Sequence, residues 1–255
     1  MKFVTATCTD IGLRKKKNKD TMLVQQADTD YGPILFAAIC DGMGGLAKGE
    51  LASAAAVRAL AKWFEQEFPV ILYDGLNEQR LHDSLQDLIQ DTSDMIGNYG
   101  TKIGINLGTT IVALLIVNRQ YYVVNVGDSR AYRIEYAMEQ ITHDQTVVQR
   151  EIDLGRLTPE EAAADPRRSV LLQCVGASAD VTPDFYTGAV SGTENFLLCC
   201  DGFRHVISNE EFFEGLNPQV ASEEQQMTAN LQYFVDTNKF RQETDNISAI
   251  LIHLC

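Results

Sequence analysis

The run Ile111–Val117, seven consecutive apolar residues, restricts the possible folds of this chain more than any other feature. It is far too short to cross a bilayer, which takes about 20 helical residues, so it predicts a strand buried in the interior. Only Asn118-Arg119-Gln120 separates it from a second β-branched and aromatic run at 121–126. A link that short joins antiparallel strands and has no room for a crossover helix, which argues against a strict βαβ sheet. Further strands are predicted at 3–7, 34–40, 195–200 and 247–253, with the central one opening at 110. Two long helices are predicted. In 49–68, Val57, Leu60, Ala61, Phe64 and Phe68 recur at helical spacing; in 79–96, Leu81, Leu85, Leu88, Thr92 and Met95 do so. A weaker third pattern covers 223–235. Hairpins mixed with adjacent helices predict a layered α+β fold.

Composition sets the class. Of 255 residues, 45% are hydrophobic, enough for a large core, and no Pro/Gly/Ser-rich linker divides the chain, so 1–255 is expected to be one domain. The N-terminus shows no apolar stretch or cleavage site typical of a secretory signal. Six scattered cysteines without a Cys-x-x-Cys pair predict reduced thiols, and the expected location is cytoplasmic. The formal charge is 21 − 35 = −14, which argues against nucleic-acid or anionic-membrane binding. An anionic substrate would have to find its positive charge elsewhere.

Four aspartates abut the apolar runs: Asp41 after 34–40, Asp128 after 121–127, Asp201 after 195–200, and Asp245 before 247–253. Carboxylates at strand ends are held by a rigid sheet yet reach its rim, as a Mg²⁺ or Mn²⁺ site requires. Gly42 and Gly202 leave the backbone beside two of them uncovered. Asp-Gly is also a common turn pair, and Asp74-Gly75 reads as a plain turn between helices. What distinguishes Asp41 is its context, Asp41-Gly42-Met43-Gly44-Gly45, followed by the small residues Ala52, Ser53, Ala54, Ala55 and Ala56.

That stretch, with Gly49-Glu50-Leu51-Ala52-Ser53 after it, resembles the signature of the metal-dependent protein phosphatases (protein phosphatase 2C) in their bacterial form. Gly108-Thr109-Thr110, Val126-Gly127-Asp128-Ser129-Arg130, Leu198-Cys199-Cys200-Asp201-Gly202 and Asp245-Asn246-Ile247-Ser248 follow in the family's order, from about Gly12 to the C-terminus. Gly155-Arg156-Leu157-Thr158-Pro159-Glu160-Glu161-Ala162 resembles the flap of bacterial members, here expected at 145–175. The resemblance implies a four-layer αββα sandwich of two mainly antiparallel sheets flanked by helices. It also implies Mg²⁺ or Mn²⁺, two ions with room for a third, and hydrolysis of phosphoserine and phosphothreonine in proteins by a water that bridges the ions.

By the same resemblance, Asp41 would bridge the ions, the Gly42 carbonyl would bind the second, and Asp201 and Asp245 would complete the first. Asp128 would join Asp201 at the third. Asp20 and Asn246 would support them from one layer out. The implied partners are a phosphoprotein substrate and a cognate Ser/Thr kinase. Two departures stand out in Arg14-Lys15-Lys16-Lys17-Asn18-Lys19-Asp20. The family's phosphate-gripping arginine falls on Lys15, with Arg14 one step away, and a lysine offers a point charge in place of a planar fork. Lys19 replaces the acidic or amide residue before Asp20. Met43 stands where the animal branch has a histidine. The rival expectations are an inactive, partner-binding module and a phosphatase of small molecules.

Other motifs fall away. Lys48 is followed by Gly49 where a P-loop needs Ser or Thr, and there is no Gly-x-Ser-x-Gly elbow. His82, His143, His205 and His253 are expected to be structural or solvent-facing.

Overall fold

Two sheets with a covered face on each side explain the unbroken apolar runs. In a computed structural model of the chain, residues 1–43 and 48–255 are described, so Gly44 and Gly45 of the expected loop lie outside the described residues. The strands are β1 (Phe3–Asp10), β2 (Asp20–Thr29), β3 (Gly32–Asp41), β4 (Ile111–Val117), β5 (Gln120–Val126), β6 (Arg130–Ile134), β7 (Met138–Gln140), β8 (Asp184–Ala189), β9 (Asn195–Cys199) and β10 (Ile247–Leu254). One sheet runs β1-β10-β9-β6-β7 and the other β2-β3-β4-β5-β8, and every pairing is antiparallel. The helices are α1 (Gly49–Gln66), α2 (Phe68–Tyr73), α3 (Glu78–Ile103), α4 (Val147–Asp153), α5 (Pro159–Ala164), α6 (Asp201–Arg204), α7 (Asn209–Leu216) and α8 (Glu224–Phe240).

Alternation along the central strands assigns the layers. Ile34, Phe36, Ala38 and Cys40 of β3, with Ile111, Ala113, Leu115 and Val117 of β4, pack with Leu60, Trp63 and Phe64 of α1 and Leu81, Leu85 and Ile89 of α3. Their neighbours Leu35, Ala37, Ile39, Val112, Leu114 and Ile116 point the other way, into a core with Leu197, Leu198, Ile250 and Ile252, which continues to Phe212, Leu231 and Phe234 of α7 and α8. A strand with both faces covered has no polar positions to spare. The result is the αββα sandwich.

The expected elements form, with local differences. The hairpin turn is tighter than expected: Asn118 and Arg119 both adopt positive φ (51° and 61°), the two-residue turn that matches strand twist, and Gln120 already belongs to β5. The first long helix stops at Gln66, and Pro69 in the first turn of α2 restarts the chain at Phe68. The second runs on to Ile103 and ends on Gly104, which is left-handed at φ 69°. Its buried stripe follows Leu81, Leu85, Ile89, Thr92, Ser93 and Ile96, leaving Met95 52% exposed. Cys200 leaves β9 and precedes the first turn of α6. Strands β2, β6, β7 and β8 were not expected, because half-buried strands carrying Gln, Asp, Arg and Glu lose the apolar signal. All six cysteines are free.

Candidate metal centre

The rims of both sheets meet at one edge. Asp41 ends β3 directly opposite Asp20, the first residue of β2. Its backbone is locked by the segment that enters β4: the Asp41 N–H donates to Thr110 Oγ1 (3.0 Å), and its carbonyl accepts from Thr110 N (2.9 Å) and Thr109 Oγ1 (2.9 Å). Asp201 opens α6 at the end of β9, and Asp245 precedes β10, the neighbouring strand. Gly202 is required here, since a Cβ on it would lie 2.1 Å from the Asn246 carbonyl oxygen. Thus Asp41, Asp201 and Asp245 come from both sheets to one place.

Electrostatics show what the site lacks. Burial, and then the charges of Asp20, Asp201, Asp128 and Asp245, push the Asp41 carboxyl well above the usual carboxylate range. Burial likewise raises Asp20 to about 6 and Asp128 to about 7. Both carboxylate oxygens of Asp20 and Oδ1 of Asp201 are buried without a hydrogen-bond partner. Massed carboxylates with orphaned oxygens cost free energy unless cations satisfy them. The donors are hard oxygens, which suits Mg²⁺ or Mn²⁺. Asp20, Asp41 and Cys200 each offer an atom within 4.8 Å of the others, but burial pushes the Cys200 thiol far up and it donates to the Asn246 carbonyl (3.4 Å).

The basic loop is placed by Asn246, whose side-chain Nδ2 donates to the carbonyls of Ile11 (2.9 Å) and Lys17 (3.1 Å) while Oδ1 accepts from Lys19 N (3.0 Å). Held at both ends, the loop turns Lys15 inward, where Nζ pairs with Asp245 (2.7 Å to Oδ1, 2.8 Å to Oδ2). Arg14 stays exposed. Lys19 contributes its backbone, its carbonyl accepting from Gly42 N (3.2 Å) and from Ser53 Oγ (2.5 Å). Met43 N donates to the Gly108 carbonyl at 3.1 Å.

The sequence reading missed a set of charged residues behind Asp128 and Asp201. Asp144 accepts a two-pronged bond from Arg130 (2.7 and 2.7 Å) and one from Arg204 (3.2 Å). Both arginines hold its carboxyl below the usual range despite burial. His205 sits between Asp201 and Glu243, and Glu243 also accepts from the backbone N–H groups of Thr244 and Asp245. The available signal was spacing: Arg204 and His205 follow Asp201 by three and four residues, the same face of a helical turn. A cleft of about 820 Å³ opens beside this set, lined by Asp128, Asp245, Arg168, Arg204, His205 and by Val148 of α4. Backbone bonds from Val147 N to Val170 O and from Leu172 N to Gln145 O close the base of the α4–α5 segment over it.

Comparison with known proteins agrees with this geometry. The family profile described as protein phosphatase 2C matches residues 14–236. The chain is 28% identical over 247 residues to the serine/threonine phosphatase stp of Listeria monocytogenes, covering 96% of this chain and 93% of that protein. It superimposes on the serine/threonine phosphatase Stp1 from Staphylococcus aureus with a TM-score of 0.84 at 26% identity, covering 100% of this chain and 96% of the other. With the catalytic domain of the serine/threonine protein phosphatase PstP, solved with two manganese ions, the TM-score is 0.79 at 26% identity, covering 99% and 98%.

Proposed function

The chain belongs to the protein phosphatase 2C family, and from that premise we propose that it removes phosphate from serine and threonine side chains of proteins, using two Mg²⁺ or Mn²⁺ ions held at the rims of its two sheets. The observation that carries this reading is the cluster of buried, unpartnered carboxylate oxygens of Asp20 and Asp201 around Asp41. Asp41, Asp201, Asp245 and the Gly42 carbonyl would hold the ions, with Asp20 and Asn246 supporting them. Such ions would supply positive charge to the phosphoryl group and lower the pKa of water toward neutrality, the chemistry that ester hydrolysis needs.

The rest falls to the chain itself. Sheet-held carboxylates fix the positions from which an in-line attack is aimed, so little reorganisation is needed as charge develops. In this reading the Lys15 ammonium, paired with Asp245, takes a phosphate oxygen, and exposed Arg14 does not. Met43 has no proton to give, so it cannot protonate the leaving serine or threonine oxygen. The cleft of about 820 Å³ extends from Asp245 to the α4–α5 segment, room for a peptide around the phosphorylated side chain, which favours phosphoproteins over small phosphate esters. In this reading 1–255 is one phosphatase domain, 145–175 is its flap, and the partner is a cognate Ser/Thr kinase acting on the same proteins in the cytoplasm. No helix among the described residues is long and apolar enough to cross a membrane.

The test is hydrolysis of a phosphothreonine peptide with Mn²⁺ or EDTA, for the parent and Asp41→Asn. EDTA abolishes activity, and the substitution lowers kcat/KM on the order of a hundredfold or more. Activity indifferent to both would overturn the mechanism.

A further inference from the structure

Asp128 and Asp201 are the pair expected to share a third, labile ion, but each already faces a basic side chain. Arg204 Nη2 donates to the Asp128 backbone carbonyl (2.9 Å) and lies 3.9 Å from Asp128 Oδ2. The same nitrogen reaches Asp144 Oδ2 at 3.2 Å, and Asp144 is anchored in turn by Arg130. The Arg204 side chain is only 12% exposed, so it is walled in place. His205, the next residue, has Nε2 at 3.5 Å from Asp201 Oδ2, while Nδ1 lies 3.3 Å from Glu243 Oε2. Glu243 is fixed by the backbone of the turn that carries Asp245.

We propose that Arg204 and His205 are built-in occupants of the third cation position, so that the chain binds two divalent ions and supplies the third site's positive charge from its own side chains. This rests on the two-ion reading above. The argument is one of charge and space. A guanidinium stays charged at any working pH and cannot diffuse away. An incoming Mg²⁺ or Mn²⁺ needs near-octahedral oxygens at about 2.0–2.1 Å and gives up its waters reluctantly. It would have to approach Asp128 against a fixed positive charge whose other partner, Asp144, holds it from behind. Arg204 closes the single turn of α6 and His205 follows it directly, so both lie on the side of the turn that carries Asp201. The guanidinium thereby keeps one fixed positive charge beside Asp128, whatever the metal concentration.

Mn²⁺ binding is counted on the intact protein by calorimetry and by equilibrium dialysis. The parent takes up two ions, and Asp128→Asn still takes up two, because no ion depends on Asp128. The double variant Arg204→Gln, His205→Asp gains a weaker third site, which disappears when Asp128→Asn is added. Three ions in the parent, or loss of an ion from Asp128→Asn alone, overturns the proposal and leaves the two-ion reading standing. Fewer than two ions in the parent overturns both. If the double variant does not fold, the parent and Asp128→Asn counts decide.

Discussion

Lys15 occupies the position where a phosphate-gripping arginine was expected, and its surroundings bear on the role proposed for it. Asp245 neutralises it from one side at 2.7 Å, and Asp41 and Asp201 add to the field that keeps it charged. A half-buried ammonium beside carboxylates attracts a phosphate oxygen without the two-pronged geometry of a guanidinium. Lys15→Ala is expected to raise KM for a phosphopeptide by about tenfold, the equivalent of one charged hydrogen bond, with Arg14→Ala changing it much less. Equal effects would remove the distinction. Counting along the sequence pointed to Lys15 but left Arg14 one step away, and the choice was not legible there. It depends on Asn246, 229 residues from Lys17, whose side chain fixes the loop register. Gly12 carries a related constraint: at φ 74°, a Cβ on it would lie within 1.9 Å of the Asp245 carbonyl oxygen. Gly12→Ala should therefore displace the turn of Asp245, a proposed metal ligand, weaken Mn²⁺ binding in titration and lower the melting temperature.

Elements, rather than single residues, carry the charge network behind the site. Arg130 belongs to β6, Arg204 to α6, and Asp144 to the segment leading into α4, so one carboxylate ties three pieces of chain together. Removing it leaves two arginines facing each other in a buried place. Asp144→Ala is expected to cost about 3–5 kcal/mol of unfolding free energy, measured by urea titration, the range for breaking a buried ion pair from one side. A loss below about 1 kcal/mol would mean the pair is solvated like a surface bridge. The sequence showed the long, evenly patterned elements, β3, β4, β9, β10, α1 and α3, because burial on a regular face leaves a period. It did not show α6, which has four residues, β7, which has three, or β6, whose arginines pair with Asp144, Glu135 and Glu194. The three Asp-Gly pairs were told apart in the sequence only by their contexts, and the structure gives each its place. Asp74-Gly75 is a turn between α2 and α3, whereas Gly42 and Gly202 sit where backbone approaches backbone.

The whole molecule joins two sheets whose carboxylate rims repel one another unless cations lie between them. In the metal-free chain, Asp128 (about 7), Asp20 (about 6) and Asp41, pushed well above an ordinary carboxyl, bind protons that the unfolded chain releases near its ordinary carboxylate values. The native state thus holds more protons than the unfolded state across this range, and stability falls as pH rises. With EDTA, unfolding free energy should be roughly 1–2 kcal/mol greater at about pH 6 than at about pH 8. With Mn²⁺ the trend weakens or reverses, because the ions compete with protons for the Asp41 carboxylate and win as pH rises. Denaturant titrations at the two pH values check this; a metal-free profile rising with pH would overturn it. By itself, the sequence determined the layered α+β architecture, the central hairpin and the aspartates at strand ends, since hydrophobic period and chain connectivity act locally. Only the tertiary structure decided which cation faces which carboxylate. Lys15 meets Asp245, and Arg204 meets Asp128 and Asp144, across long stretches of chain. Ion pairs have no period along a sequence, and their choice is made by which elements the packed core brings within a few ångströms.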